Sequence, residues 1–216
     1  MKSNRNALRP ILFNTEMVQA IMDGRKTMTR RIVKMNWEIT EPGKFELLDD
    51  GSFQFHFDNY PSIYDYPIYP PVYEGDILYV RETWKTVEAG YPPLHSTIVY
   101  RAGGEAKFDK IIALPTQKGE WKPSIFMPKE AARLFLRVKD VTVERLRDMV
   151  LADVLMEGIK EEQTYESTWE KWHRLWDSTI SKKDLPKYGW KANPWVYVIR
   201  FDRMNLSTFE EAEKVL

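Results

Sequence analysis

The residues best suited to chemistry lie in one short basic segment, Gly24–Arg31, which contains four cations and no acid. Within it, Lys26 and Thr29 stand three residues apart among arginines. This combination can grip an anionic ligand, or it can activate a hydroxyl as a nucleophile. A basic segment of this kind also occurs as an ordinary solvated surface, and the composition alone leaves these interpretations open. The candidate ligand-binding residues of the segment are Arg25, Thr27, Arg30 and Arg31.

A helix should precede the basic segment and deliver it to a defined place. In the run from Thr15 to Asp23, apolar residues recur at helical spacing and form one stripe. The side chain of Asn14 or Thr15 can cap the start of this helix. Gly24 can end it, because a residue without Cβ takes the left-handed conformation at low cost. The cations would then follow a helix C-terminus, where partial negative charge favours them.

A second set of candidates follows the turn Gly75-Asp76. The run Ile77–Val80 is apolar on both faces, which predicts a central strand. Arg81 and Glu82 come at its end and should point to opposite faces. They can line a pocket or take part in a structural ion pair, and Trp84 follows close by. Arg81, Glu82 and Trp84 are therefore also candidate ligand-binding residues.

A carboxylate candidate, Glu157, lies at the end of a short predicted helix over 148–158 that Gly158 should stop. It is one of eight acids between 144 and 170, a group that we interpret mostly as a solvated face. Glu157 is either another solvated acid or a group that acts together with a distant lysine.

Composition excludes several classes of function. Net charge is zero, so no global field drives nucleic-acid binding, and any such affinity must come from a local patch. There is no cysteine, and the three histidines are far apart in sequence, which excludes thiolate chemistry and zinc-ligand spacings. Neither a membrane-length apolar run nor a signal-peptide core is present, so we expect a cytoplasmic protein. Neither a metal nor a cofactor is expected.

The remaining pattern predicts a mixed α+β chain. Residues 132–143 form the longest strand candidate, and its apolar phase shifts near 139–140, which requires a bend. A helix should span 165–180, with Ser167 and Glu170 as its capping box. Residues 60–73 are rich in Tyr and Pro and predict an extended loop, whose tyrosines either pack on the domain or stack on a base. Residues 85–130 look mostly irregular, with a short strand candidate over 97–101 and a turn at Gly103-Gly104. Further elements are a first strand over 9–13, a strand over 29–33, a hairpin of 44–48 with 52–57, and a closing strand over 194–203.

These motifs, in this order, resemble the ASCH domain family of the PUA-like superfamily. The opening match is Gly24, Lys26, Thr27, Thr29 and Arg31. The Gly-Asp strand that continues into Arg81–Trp84 is similar to the longer, phage- or prophage-associated members, as is the segment 121–128. Some of those members have histidine where this chain has Phe126. The resemblance implies one domain over 1–216, a small curled β-barrel with peripheral helices, and insertions at about 35–74 and 85–130.

The resemblance also implies an activity. Small members of the family hydrolyse the acetyl amide of N4-acetylcytidine with a lysine, a threonine and a glutamate. By position, these correspond here to Lys26, Thr29 and Glu157 as catalytic residues. Two other functions stay open: a non-catalytic RNA-binding module that grips single-stranded RNA, and a phage assembly or interaction protein. Oligomeric state does not follow from the sequence.

Overall fold

The computed structural model describes residues 6–35, 39, 42–58, 67–89, 95–108 and 120–216. Within these ranges the chain contains both strands and α-helices, which confirms the α+β class. The strands are β1 (Leu8–Leu12), β2 (Met28–Ile32), β3 (Gly43–Leu47), β4 (Phe53–Phe57), β5 (Ile77–Arg81), β6 (Trp84–Ala89), β7 (His95–Tyr100), β8 (Glu105–Phe108), β9 (Phe135–Arg145) and β10 (Trp195–Arg203). The α-helices are α1 (Thr15–Met22), α2 (Leu151–Met156), α3 (Tyr165–Ser178), α4 (Leu185–Tyr188) and α5 (Phe209–Glu213). Single 3-10 turns lie at Ser124–Phe126, Lys129–Ala131, Leu146–Asp148 and Trp190–Ala192.

The chain divides into two compact units that alternate along the sequence. The first unit contains Met1–Asn6, Arg25–Gly75 and Val138–Asp202. The second contains Ala7–Gly24, Asp76–Arg137 and Arg203–Leu216. That the whole of 1–216 is one domain with two insertions stays a prediction.

In the first unit, β2 pairs antiparallel with β10, and the later part of β9 lies on the other side of β10. The predicted hairpin is confirmed, with β3 antiparallel to β4 across Asp49-Asp50-Gly51. Two phenylalanines of this hairpin pack edge-on against Trp195, with ring centroids 5.0 Å away for Phe45 and 5.7 Å away for Phe55. This packing places an aromatic layer beside the strand that carries the basic residues.

In the second unit, β1 pairs parallel with β5, and β5 pairs antiparallel with the first residues of β9. The predicted central position of β5 is thereby confirmed. Strands β6, β7 and β8 form a separate antiparallel sheet. The expectation that 85–130 is mostly irregular is therefore wrong for β6 and β8, whereas β7 agrees with the short strand predicted over 97–101. The short, polar-rich sequences of β6 and β8 carry little of the alternation that identifies a strand.

The strand order of the five-stranded sheet is β1-β5-β9-β10-β2. Along β9, Phe135, Leu136 and Val138 are buried, and the next buried residue is Val141, which is out of phase with Leu136 and Val138. The buried face therefore changes after Val138 as the pattern predicts, and the bend itself stays a prediction. Among the described strands the sheet is not closed into a barrel, so the α+β class is established and the PUA-like barrel is not.

Local signals placed most helix ends correctly. Asn14 Oδ1 accepts a hydrogen bond from the Met17 amide at 2.8 Å, and Gly24 follows α1 with φ +75°. The capping box at Ser167 and Glu170 is wrong. The helix α3 begins one turn earlier than that box requires, because Thr164 Oγ1 accepts from the Ser167 amide at 3.1 Å. Residues 59–66 of the Tyr/Pro-rich segment lie outside the described residues.

Two further properties concern the part of the chain that the structure describes. None of its helices is both long and apolar enough to cross a bilayer. It also contains no group of three or more His, Cys, Asp or Glu residues arranged to hold a metal ion.

Candidate functional site

Lys26 lies at the entrance to β2, directly beside the end of α2. Its backbone forms an isolated antiparallel bridge with Glu157. Neighbouring bonds hold this crossing in place, since the Thr27 amide donates to Met156 O at 2.9 Å and the Phe201 amide to Thr27 O at 2.9 Å. The Lys26 side chain is only 1% exposed as a result. The interpretation of the basic segment as an ordinary solvated surface is therefore wrong for Lys26.

The Lys26 ammonium contacts three acceptors. Nζ lies 2.7 Å from Glu157 Oε2, 2.9 Å from Glu157 O and 2.8 Å from Met28 O. An ammonium has three N–H donors, so these contacts satisfy it fully. Burial nevertheless lowers the pKa of Lys26, while Glu157 opposes that shift and Arg31 and Arg30 add to it. Lys26 is thus a lysine whose proton is held by one carboxylate against the cost of burial.

Glu157 occupies the C-cap of α2. Its amide donates to Asp153 O at 2.8 Å, and Gly158 follows with φ +93°, a conformation that suits glycine. The predicted stop at Gly158 is confirmed. The Glu157 side chain is 3% exposed. The alternative of a solvated helix-end acid is therefore excluded.

Arg30, in the middle of β2, also contacts Glu157 and so forms a buried charged cluster with Lys26 and Glu157. Its side chain is fully buried and contacts three carboxylates: Glu144 Oε1 at 2.7 Å from Nη2, Asp153 Oδ2 at 3.2 Å from Nη2, and Glu157 Oε1 at 3.4 Å from Nη1. Arg30 Nη1 also approaches Met28 Sδ at 3.2 Å. Hence Arg30 is not an open cation for an anionic ligand, because carboxylates from β9 and α2 already surround it.

Glu144 and Asp153 are members of this cluster that sequence reasoning missed. Both were interpreted as part of a solvated acidic face. They are 114 and 123 residues from Arg30 in sequence, so no local spacing connects them to the basic segment. Asp153 also accepts from the Val150 amide at 3.1 Å, which ties it to the start of α2. The sequence signal for such a role was the excess of acidic over basic residues between 144 and 170, which indicates that some of these acids have cationic partners elsewhere in the chain.

Thr29 and Arg31 lie together on β2. Successive strand residues alternate in direction, so these two share the face opposite to Met28 and Arg30. Thr29 is 2% exposed, and its Oγ1 accepts from Arg31 Nη1 at 2.7 Å. Burial lowers the pKa of Arg31, and the charge of Glu157 partly opposes this. A guanidinium bonded to a hydroxyl oxygen stabilises negative charge on that oxygen, which is the electrostatic requirement for a threonine nucleophile.

The other two residues of the basic segment are partly exposed. Arg25 Nη1 donates to Gly158 O at 2.6 Å, which links the segment to the turn after α2. Thr27 contributes backbone bonds that support the Lys26 crossing. Their prediction as ligand-binding residues is not tested by these contacts.

Arg81, Glu82 and Trp84 belong to the second unit, and their contacts favour a structural role. Arg81 Nε donates to Met127 O at 2.8 Å, and a further Arg81 nitrogen donates to Ile125 O. Arg133 binds Glu82 in a bidentate pair, at 2.8 Å to Oε1 and 3.0 Å to Oε2. Burial raises the pKa of Glu82, while Arg133 opposes the rise.

Trp84 is 1% exposed, so its ring offers no open face for stacking. Its backbone forms an isolated antiparallel bridge with Lys122. These contacts correspond to the structural alternative, although the partner of Glu82 is Arg133 rather than Arg81. The ligand-binding role of the three residues stays a prediction.

Comparison with known proteins gives no relative for this chain: no family model, no curated protein and no solved structure matches it. The best support for a function of this chain is therefore the geometry around Lys26.

Proposed function

We propose that this chain is an ASCH-type hydrolase that cleaves the amide of an acylated nucleoside such as N4-acetylcytidine. The observation that carries the proposal is the buried contact of Lys26 Nζ with Glu157 Oε2 at 2.7 Å. The resemblance to the family implied these two residues as partners although 131 positions separate them in sequence. A small curled β-barrel with its pocket near the basic segment belongs to the same proposal.

The proposed chemistry begins with Thr29. In this proposal its hydroxyl proton passes through one water to neutral Lys26 as Oγ1 attacks the acetyl carbonyl carbon. Lys26 then gives the proton to the departing exocyclic amine of cytosine as the C–N bond breaks. An acetyl ester remains on Thr29. Water hydrolyses this ester to acetate and restores the hydroxyl, with Lys26 again receiving and returning a proton.

Three groups support this sequence of steps. Burial favours the neutral amine that a lysine base requires. Glu157 holds Lys26 at a fixed position and can carry the proton that Lys26 releases. Arg31 binds Thr29 Oγ1 at 2.7 Å and stabilises the alkoxide character of the nucleophile.

The RNA-binding alternative receives less support from the same contacts. Non-specific grip on a polyanion needs cations that are free to release counterions. Lys26 and Arg30 are buried and already paired with carboxylates. The contribution of the basic segment to such binding is therefore reduced to its partly exposed arginines.

The test is conversion of N4-acetylcytidine to cytidine, followed by chromatography. Lys26→Met and Thr29→Val should each lower kcat by about a hundredfold or more, whereas Thr29→Ser should retain part of the rate. Matched controls are Lys139→Met, which removes an exposed lysine paired with Asp202, and Thr142→Val, which changes an exposed strand threonine. Both controls should keep wild-type activity.

Other outcomes would overturn the proposal. Turnover that survives both site variants would mean that the basic segment was misinterpreted. Absence of turnover, together with RNA affinity that falls steeply with salt, would establish the binding module instead. Absence of both, with a stable oligomer in solution, would favour the assembly or interaction protein.

A further inference from the structure

One buried guanidinium in the first unit has more carboxylates around it than its charge requires. Arg30 is completely buried, and its nitrogens lie within 3.4 Å of Glu157, 3.2 Å of Asp153 and 2.7 Å of Glu144. One carboxylate suffices to neutralise an arginine. The effect of the additional carboxylates, Glu144 and Asp153, depends on their positions around the guanidinium.

The three carboxylates differ in exposure. Glu157 is 3% exposed, whereas Asp153 is 18% and Glu144 is 25% exposed. The two outer carboxylates thus hold the guanidinium from the solvent side, and its inner edge faces Glu157. Glu144 accepts from both Nε and Nη2 of Arg30, at 3.1 Å and 2.7 Å, which orients the plane of the guanidinium.

We propose that Arg30, oriented by Glu144 and Asp153, is a positioning residue that holds the Glu157 carboxylate and controls whether Lys26 keeps its proton. The proposal deepens the hydrolase function and rests on it where the rate is concerned. Glu157 is held at both oxygens, Oε1 by Arg30 and Oε2 by Lys26, so its carboxylate has a single orientation. Arg30 shares the charge of this carboxylate with Lys26, so loss of Arg30 would leave more of that charge to the Lys26 ammonium.

The direction of each electrostatic effect follows from the sign of the charge. The charged groups that face Lys26 are Glu157 at the end of α2 and Arg30 and Arg31 on β2. Arg25 lies nearby through its bond to Gly158 O. Arg30 disfavours the Lys26 ammonium, and Glu144 and Asp153 weaken that effect because they offset the charge of Arg30. The outer carboxylates and Arg30 should therefore shift the titration of Lys26 in opposite directions.

The experiment is a pH titration of the Lys26 13Cε resonance in the full chain labelled on lysine. The resonance is assigned by its loss in Lys26→Met. Glu144→Gln and Asp153→Asn should move the midpoint to lower pH by about half a unit or more, and Arg30→Met should move it to higher pH. Arg30→Lys, which keeps the charge but not the forked geometry, should restore a midpoint near that of the wild type. Glu162→Gln, which removes a surface carboxylate paired with Lys171, is the matched control and should cause no shift.

The same variants give a second readout in the hydrolysis reaction. The acidic limb of the pH profile of kcat/KM should shift in the same direction as the Lys26 midpoint. The reason is that each pH unit of midpoint shift changes the fraction of neutral Lys26 about tenfold on that limb. A purely structural role predicts no opposed shifts. Midpoints that stay constant, that rise in Glu144→Gln or Asp153→Asn, or that fall in Arg30→Met, would overturn the proposal.

These outcomes separate the two proposals. If the Lys26 midpoint shifts in opposite directions but the protein hydrolyses no substrate, the positioning role of Arg30 is supported and the hydrolase function is contradicted. If the protein hydrolyses its substrate but the Lys26 midpoint stays constant in all variants, the hydrolase function is supported and the positioning role of Arg30 is contradicted. If Arg30→Met does not fold, Glu144→Gln and Asp153→Asn still decide the matter, since both residues are partly exposed.

Discussion

Lys26 and Glu157 meet twice, once through their backbones and once through their side chains. Their main chains form an antiparallel bridge, and Lys26 Nζ donates to both the carbonyl and the carboxylate of Glu157. The position of the lysine is therefore coupled to the end of α2. A change that moves this helix end would displace the proposed base as well.

Removing one member of this pair should be costly for stability. Lys26→Met leaves Glu157 buried with only the longer contact to Arg30, and Glu157→Gln leaves a buried ammonium without its counter-charge. We expect each to lower the free energy of unfolding by about 3 kcal/mol, measured by urea denaturation. The double variant should cost less than the sum of the two, because it removes both charges. Additive losses would mean that the two side chains are not energetically coupled.

The lowered pKa of Lys26 predicts a pH dependence of stability. Between the pKa of the folded state and about 10.5 in the unfolded chain, the unfolded state binds more protons at this site. Stability attributable to Lys26 should therefore increase as pH rises through that window, with a slope of at most about 1.4 kcal/mol per pH unit.

The measurement is the difference in unfolding free energy between wild type and Lys26→Met from pH 7 to pH 10. The same difference for Lys139→Met should be flat, because that lysine is exposed. A wild-type advantage that declines with rising pH would contradict the lowered pKa.

Local rules predicted much of the fold, and long-range contacts explain what they missed. Asn14, Gly24 and Gly158 act on the backbone within a few residues, so their sequence neighbourhood was sufficient. Glu144 and Asp153 acquire their role only when the folded chain brings β9 and α2 within reach of the Arg30 side chain. The pairing of Glu157 with Lys26 was accessible through the family resemblance and not through spacing.

The bidentate pair of Arg133 with Glu82 should stabilise the second unit. Glu82 is 1% exposed, so Glu82→Gln removes a buried charge and leaves Arg133 with a weaker partner. We expect a loss of about 2–4 kcal/mol in unfolding free energy at pH 7. Thermal unfolding followed by circular dichroism measures it. Glu46→Gln, which changes an exposed glutamate, should have little effect, and an equal effect of both variants would contradict the buried role.

Arg31 is the residue whose loss should separate nucleophile activation from the lysine base. Its Nη1 donates to Thr29 Oγ1 at 2.7 Å. A neutral side chain at this position would remove the positive charge beside the Thr29 hydroxyl. Arg31→Gln should lower kcat by about 10- to 100-fold because one charge-assisted donor to the reacting oxygen is lost. KM should change much less if Arg31 acts on the transition state, and Arg31→Lys should recover part of kcat. Arg200→Gln, on the adjacent strand β10 and paired with Asp140, is the matched control and should keep the wild-type rate. A selective rise in KM with unchanged kcat would instead assign Arg31 to substrate binding.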